Sequence, residues 1–349
     1  MSRPMDRQRM HHLAIAAGAA ALALVLALAL TWFQARQVWQ PDVSGPVLPN
    51  WPEAVSRAAA IEIDSAGDHF RLQRTAAGWA MPSRDDHPVQ TGRLAELDTY
   101  LARLTYAGAR TSDPDKHARL GLAAGGEDAG TRVTVTGSDG TVLADIVLGR
   151  EREGQIYVRF PGRDRTYAAE PGETAAALPE IADAADWLDL DFLELGQNAI
   201  ARTVITPETG PSYVLERASP SIRNFALREP AGWRPITAAA GNGPASALAR
   251  VRFRDVRAAQ RLNGEVVAHH SAETFGGLRV SVDVMALADT RWAVISATAL
   301  SDDAQADAET LNVAAEGWAF LLSDLTLDRL IRPLDQIADP RPEDRDDAP

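Results

Sequence analysis

Leu278-Arg279-Val280-Ser281-Val282-Asp283-Val284-Met285-Ala286 alternates without a break, with Leu278, Val280, Val282, Val284 and Ala286 on one side and Arg279, Ser281 and Asp283 on the other. A period of two puts each set on one face of a strand, so the stretch predicts a strand with one dry and one wet side. That pattern belongs to an antiparallel sheet covered on a single face. Ala288-Asp289-Thr290-Arg291 predicts a turn, and Trp292–Thr298 the partner strand.

The same grammar recurs upstream. Arg132–Thr136 and Val142–Leu148 flank Ser138-Asp139-Gly140, and Asp-Gly supplies the positive φ that a tight hairpin needs. Two further pairs, Ile61–Asp64 with Phe70–Arg74 and Thr203–Thr206 with Tyr213–Arg217, are joined by short turns. Leu94, Leu97, Leu101 and Leu104 recur on one helical face, with Thr91 as the expected N-cap. Ala245–Phe253 is expected to be a second helix, with Pro244 in its first turn. A last helix carries Leu327, Leu330, Ile331, Leu334 and Ile337, and Pro333 inside it is expected to kink or split it. The fold class is therefore α+β, with antiparallel hairpins and helices against one face.

The chain also reads as two tandem copies of this strand-hairpin/helix module. Leu101–Arg110 lines up with Leu248–Arg257, and Arg132–Thr136 with Arg279–Asp283, both at an offset of 147. Phe70–Arg74 matches Tyr213–Arg217 and Gly78-Trp79 matches Gly232-Trp233, at offsets of 143 and 154. The competing reading is coincidence among common Ala, Arg and Val residues. The expected boundaries are 57–193 for the first α+β repeat and 194–338 for the second.

Ahead of the repeats lies Leu13–Phe33, LAIAAGAAALALVLALALTWF, without a charge. As a helix it extends about 31 Å, the thickness of a bilayer's hydrocarbon core. Arg3, Arg7 and Arg9 precede it and only Arg36 closely follows it. The positive-inside rule then assigns residues 1–12 to the cytoplasm and the body to the far side. A cleaved signal peptide fits less well, because the run is long and Thr31-Trp32-Phe33-Gln34 is a poor cleavage site. Residues 34–56 are expected to be a stiff spacer, rich in proline between Gln40 and Pro52. Residues 339–349, DPRPEDRDDAP, are expected to be a disordered acidic tail.

Composition narrows the function. The 349 residues are 46% hydrophobic and 24% charged, a globular profile. Net charge is −13, and residues 1–36 carry +3, so the remaining 313 carry the difference, −16. An acidic body excludes nucleic acid, which needs clustered Lys and Arg. Lys116 is the only lysine, an imbalance read as genome composition. With no cysteine, disulfides, thiolate metal sites and a cysteine nucleophile are excluded.

No catalytic, cofactor-binding or metal-binding residue is assigned. No two of the histidines have helical metal-site spacing, and His269-His270 are expected in a loop. Asp183, Asp186, Asp189 and Asp191 cluster near Trp187 without the glycine turn of a calcium loop. They are read as a solvated helix end with Trp187 and Leu188 buried. Gly121–Gly130 contains Glu127 and Asp128, which repel phosphate, and reads as a flexible loop. Trp79 and Trp233, at matching places in the two copies, read as core residues ahead of binding aromatics. Motifs for nucleotide binding or for a nucleophilic serine are absent.

One ordered set of segments resembles a known family. After the anchor come FRLQR and GW at Phe70–Arg74 and Gly78-Trp79, KHARLGL at Lys116–Leu122, IVLGR through GQIYVR at Ile146–Arg159, and ADWLD at Ala185–Asp189. The set resembles the bacterial family called domain of unknown function 4340, over roughly residues 55–330 and most specifically 61–190. The resemblance implies a membrane-anchored envelope protein. Some relatives are linked with ABC-type export systems, including gliding-motility auxiliary proteins, and the family brings no catalytic residues to carry over.

The expectation is a non-catalytic envelope protein held in the bacterial inner membrane by one pass. It would serve as an accessory or scaffold subunit docking on another membrane complex, with an ABC-type exporter as the implied partner. The alternative is a small-ligand binding module with a cleft between the repeats; a hydrolase built on the Asp cluster is the weakest reading.

Overall fold

The computed structural model describes residues 12, 17–18, 20–31, 43–172 and 178–341. The first half contributes β1 (Ala58–Asp64), β2 (His69–Thr75), β3 (Gly78–Met81), β4 (His87–Pro88), β5 (Thr105–Ala109), β6 (Thr131–Gly137), β7 (Val142–Arg152), β8 (Gln155–Arg159) and β9 (Thr166–Glu170). The second contributes β10 (Ile200–Thr206), β11 (Tyr213–Glu216), β12 (Ala226–Glu229), β13 (Trp233–Pro235), β14 (Val256–Ala258), β15 (Glu265–Thr274), β16 (Leu278–Leu287), β17 (Thr290–Ala299), β18 (Trp318–Leu321) and β19 (Ala338–Pro340). Every pairing between these strands is antiparallel, so the α+β class holds.

The first sheet runs β4-β3-β2-β1-β6-β7-β8-β9-β5 and the second β12-β11-β10-β15-β16-β17-β18-β14. Apart from β4 the two orders correspond place for place. β5 and β14 are both outermost, in keeping with the offset of 147 between Leu101–Arg110 and Leu248–Arg257. The same offset fails elsewhere. β6, with Arg132–Thr136, neighbours the central β1, whereas Arg279–Asp283 lie in β16, one strand further from the corresponding β10. By sheet position β6 answers to β15. Trp79 and Trp233 part company too: β3 is in the first sheet, while β13 leaves the second sheet and pairs with β19. Both indoles are partly buried against the core.

Register explains the core. In the first sheet Phe70, Ile63, Val133 and Ile146 form one row across β2, β1, β6 and β7. In the second, Tyr213, Ile205, His270, Val282 and Ile295 form a row across β11, β10, β15, β16 and β17. All nine side chains are buried, and each apolar one contributes about 1.5–3 kcal/mol by leaving water. The alternation of β16 survives intact, with Leu278, Val280, Val282 and Val284 buried.

The Thr91–Arg103 helix lies over the first sheet. Leu94 and Leu97 face Ile61 and Val135 across a small apolar gap of about 160 Å³. Thr91 is its first helical residue and the cap position falls on Gln90, with no side-chain cap. The Gln305–Ala315 helix lies beside β17. Asn312 there accepts from Ala297 N at 2.8 Å and donates to Ala297 O at 2.9 Å, satisfying the peptide where β18 no longer pairs.

Several expectations change. Ala245–Phe253 is not a helix. One turn, Asn242–Ala245, passes into a 3-10 turn at Ala247–Ala249, and the amides of Val251 and Phe253 instead bind the carbonyls of Leu193 and Leu190 at 3.0 Å. Backbone donors committed across the molecule cannot close helical turns. The expected spacer is part of the body from Gly45 onward. Tyr106 N binds Gly45 O, Val47 N binds Leu104 O, and Trp51–Arg57 is a helix with Trp51 buried and its Nε1 donating to Asp98 at 2.8 Å. Residues 34–42 lie outside the described residues. The last helix is split as Pro333 requires, into Asp324–Leu330 and a 3-10 turn at Leu334–Gln336. Asp339 and Pro340 pair in β19; residues 342–349 of the expected tail lie outside the described residues. Gly121–Gly130 ends against packed structure: a Cβ on Gly130 would stand 2.7 Å from the Leu148 carbonyl and the Val147 side chain.

Of the uncharged run at 13–33, residues 17–18 and 20–31 are described; all are helical and exposed. Among the described residues no helix is long and apolar enough to cross a membrane.

Candidate functional site

The two halves meet along a seam, and the acid-rich stretch around Trp187 runs through it. From the first half, Gln90 N donates to Trp187 O at 2.9 Å and Gln90 Nε2 to Leu188 O at 2.7 Å. From the second, Phe253 and Val251 bind Leu190 and Leu193. Trp187 and Leu188 are buried as expected, Trp187 completely, with Nε1 donating to Ile181 O at 3.1 Å and the ring edge-on to Phe70. A strap that is apolar inside and acidic outside thus ties both sheets together.

A second set of contacts closes the seam. Asp85 adopts a left-handed conformation, φ 58°, one that Asp tolerates better than most residues. Its carboxylate accepts from Ala258 N at 2.9 Å and pairs with Arg261 at 2.6 Å. Arg84 pairs with Asp255, and Arg257 Nη1 donates to Ser83 O at 2.7 Å. The His87 ring meets Trp318 edge-on, 4.6 Å between centroids.

The structure separates the four aspartates. Asp183 caps the short 3-10 turn Ala184–Trp187 by accepting from Ala185 N. Asp191 holds Arg252 through both oxygens, Nε to Oδ1 at 3.0 Å and Nη2 to Oδ2 at 2.8 Å. Asp186 is desolvated and lies near Asp183 and Glu180, so its carboxyl is raised from the usual range, with Arg93 opposing. These three line a polar notch of about 290 Å³ with Arg93 and Arg252. Asp189 opens on a different cavity and has no ion-pair partner among the described residues. Among the described residues no group of three or more His, Asp or Glu is arranged to hold a metal ion.

The other cavity, about 500 Å³, is bounded by His87, Thr91 and Gly92 from the first half, Asp189 from the strap, and Val313 and Trp318 from the second half. Its volume falls within the range of small-molecule sites. His87 is only 6% exposed, and burial lowers its basicity against the opposing effects of its bond to Pro88 and the charge of Asp189. Sequence reasoning expects a cleft between the repeats but names none of its residues, because His87 and Thr91 lie more than 200 residues from Val313 and Trp318 and carry no motif.

His117, His269 and His270 have structural partners. His269 and His270 lie in β15, not in a loop. They point apart, as neighbours on a strand must: His269 pairs with Asp283 at 2.8 Å on the wet face, and His270 is fully buried. His117 is buried, with Nε2 2.8 Å from Asp164 O.

Two antiparallel sheets bound by a strap and a polar seam define an α+β body. The chain belongs to the family described as Domain of unknown function (DUF4340), whose model matches residues 79–265, more than half its length. That match takes in the seam residues from Ser83 through Arg261. No curated protein and no solved structure shows significant similarity to the chain.

Proposed function

We propose that this chain is a membrane-anchored envelope protein without chemistry of its own, an accessory or scaffold subunit that docks on another membrane complex, with an ABC-type exporter as the candidate partner. One observation carries the reading. The described helical residues of the uncharged run, 20–31, are exposed throughout, with Leu22, Leu24, Val25, Leu26, Leu28 and Leu30 all more than half accessible. An apolar helix with no protein against it needs a non-aqueous environment. Arg3, Arg7 and Arg9 before the run support an N-terminus in the cytoplasm and a body in the periplasm. The engagement of Asp183 in capping and of Asp191 with Arg252 favours a structural acidic strap over acid–base chemistry.

The matching strand orders support a related proposal, that the two halves are copies of one module. Under it, β6 and β15 are counterparts, and the helix between β17 and β18 is an insertion particular to the second copy.

Fusion of alkaline phosphatase or of green fluorescent protein after Pro349 tests the topology. Active phosphatase and a dark fluorescent fusion are expected; the opposite pair would sink the anchor reading. Purification in mild detergent at native expression is expected to bring down a membrane partner, and recovery of the lone monomer would count against docking.

A further inference from the structure

The seam groove has an arrangement of polar groups that selects a ligand. His87 Nδ1 lies 2.9 Å from the Pro88 carbonyl oxygen. A carbonyl only accepts, so Nδ1 carries the ring proton and Nε2 of the neutral ring presents a lone pair. Nε2 makes no hydrogen bond with any described residue, although the side chain is more than nine-tenths buried. Beside it stands the Asp189 carboxylate, also without a partner among the described residues. Both acceptors line the groove with no protein donor among the described residues, and together they suit a donor with several protons.

The groove also has donors. The Thr91–Arg103 helix begins in the groove with no side-chain cap, so the first-turn amides have no intrahelical acceptor. A Cβ placed on Gly92 would meet nothing within 4 Å, which leaves the approach to those amides open. The second half adds the half-buried Trp318 ring and Val313, an apolar side chain 79% exposed.

A simple anion at the helix start would face the Asp189 charge and the His87 lone pair. A simple cation would leave the amides unmet. We propose that the groove binds a small hydrophobic amine of the α-amino-acid type. Its ammonium donates to Asp189 and His87 Nε2, its carbonyl or carboxylate oxygen accepts from the first-turn amides of the Thr91–Arg103 helix, and its apolar part lies against Trp318 and Val313. The polar groups of the site come from the first half and its apolar side from the second, and the assignment is independent of where the body docks.

Isothermal titration of the full chain in nanodiscs, against empty nanodiscs as blank, tests this with three probes. L-phenylalaninamide is expected to bind saturably. Phenethylamine, which lacks the oxygen, is expected to bind more weakly, and 3-phenylpropionate, which lacks the amine, not at all. Asp189→Asn and His87→Phe are each expected to weaken L-phenylalaninamide about tenfold, the loss of one charged or buried hydrogen bond. Asp189 is exposed and makes no structural bond, so its variant keeps the test valid if the His87 variant unfolds. Overturning results are the absence of saturable binding, 3-phenylpropionate or phenethylamine binding as tightly as the amide, or an Asp189→Asn affinity within twofold of the parent.

Discussion

The Nδ1 of His270 lies 2.7 Å from the carbonyl oxygen of Leu330, and this bond fastens the Asp324–Leu330 helix to the buried face of the second sheet. His270 occupies a row otherwise made of Tyr213, Ile205, Val282 and Ile295. In the first sheet the corresponding row carries Val133 in that place. The Leu330 carbonyl fixes the tautomer, so the buried Nε2 keeps an unmet lone pair, a polar cost that valine does not incur.

Burial lowers the basicity of His270 to about 4. The unfolded chain binds the proton more readily, near pH 6.5. The contribution to stability is therefore complete above about pH 6.5 and is lost as pH falls toward 4. The whole loss is about 3 kcal/mol. Urea unfolding followed between pH 7 and 4 is expected to show it, and His270→Val is expected to flatten that part of the curve. An unchanged slope in the variant would assign the acid sensitivity elsewhere.

Arg217 is 4% exposed and has no carboxylate partner among the described residues. Its fork donates to Ile200 O at 2.8 Å, Ile222 O at 3.2 Å and Gln197 O, with the guanidinium over Phe225 and Phe275. Lysine keeps the charge but not the fork. Arg217→Lys is expected to cost about 1.5–3 kcal/mol in denaturant unfolding. Arg202→Lys, at a more exposed pair with Glu273, serves as control and is expected to cost less than about 1 kcal/mol.

Trp187 is the largest fully buried side chain of the strap. Trp187→Ala removes its packing on Phe70 and its bond to Ile181, and is expected to cost about 3–5 kcal/mol. Trp187→Phe retains most of the volume, so chemical denaturation is expected to rank it between the parent and the alanine variant.

Asp85 joins the halves through Ala258 N and Arg261. Asp85→Ala removes both bonds and leaves a left-handed residue that alanine adopts poorly, for an expected loss of about 1–3 kcal/mol. Because the loss falls on the seam, calorimetry is expected to show two transitions in the variant and one in the parent. One transition with unchanged cooperativity would mean the strap alone couples the sheets.

Periodicity made the strands legible wherever one face was dry, as at β16, β17 and β1. Periodicity failed at Ala245–Phe253, where the partners of Val251 and Phe253 are carbonyls some sixty residues upstream. A signal for the Trp51–Arg57 helix was present in Asn50-Trp51-Pro52, since proline favours the first helical turn, but it was outweighed by the prolines around it. His269-His270 read as a loop because a fully buried histidine is rare, although Ala268, His270 and Ala272 keep the alternation of β15. A cleft between the repeats was legible as an alternative, but its residues were not, since Asp189 and Trp318 line one groove only when two sheets close on one strap.

The pairing of Gly45–Val47 with Leu104–Tyr106 has a mechanical consequence. On the proposed topology the connection from Phe33 to Gly45 is twelve residue steps, at most about 40 Å. The body would then be confined to a shallow dome above the bilayer. A partner bound to the anchor helix would then be linked to the body, at an effective concentration on the order of millimolar, so even a weak second contact would be occupied most of the time.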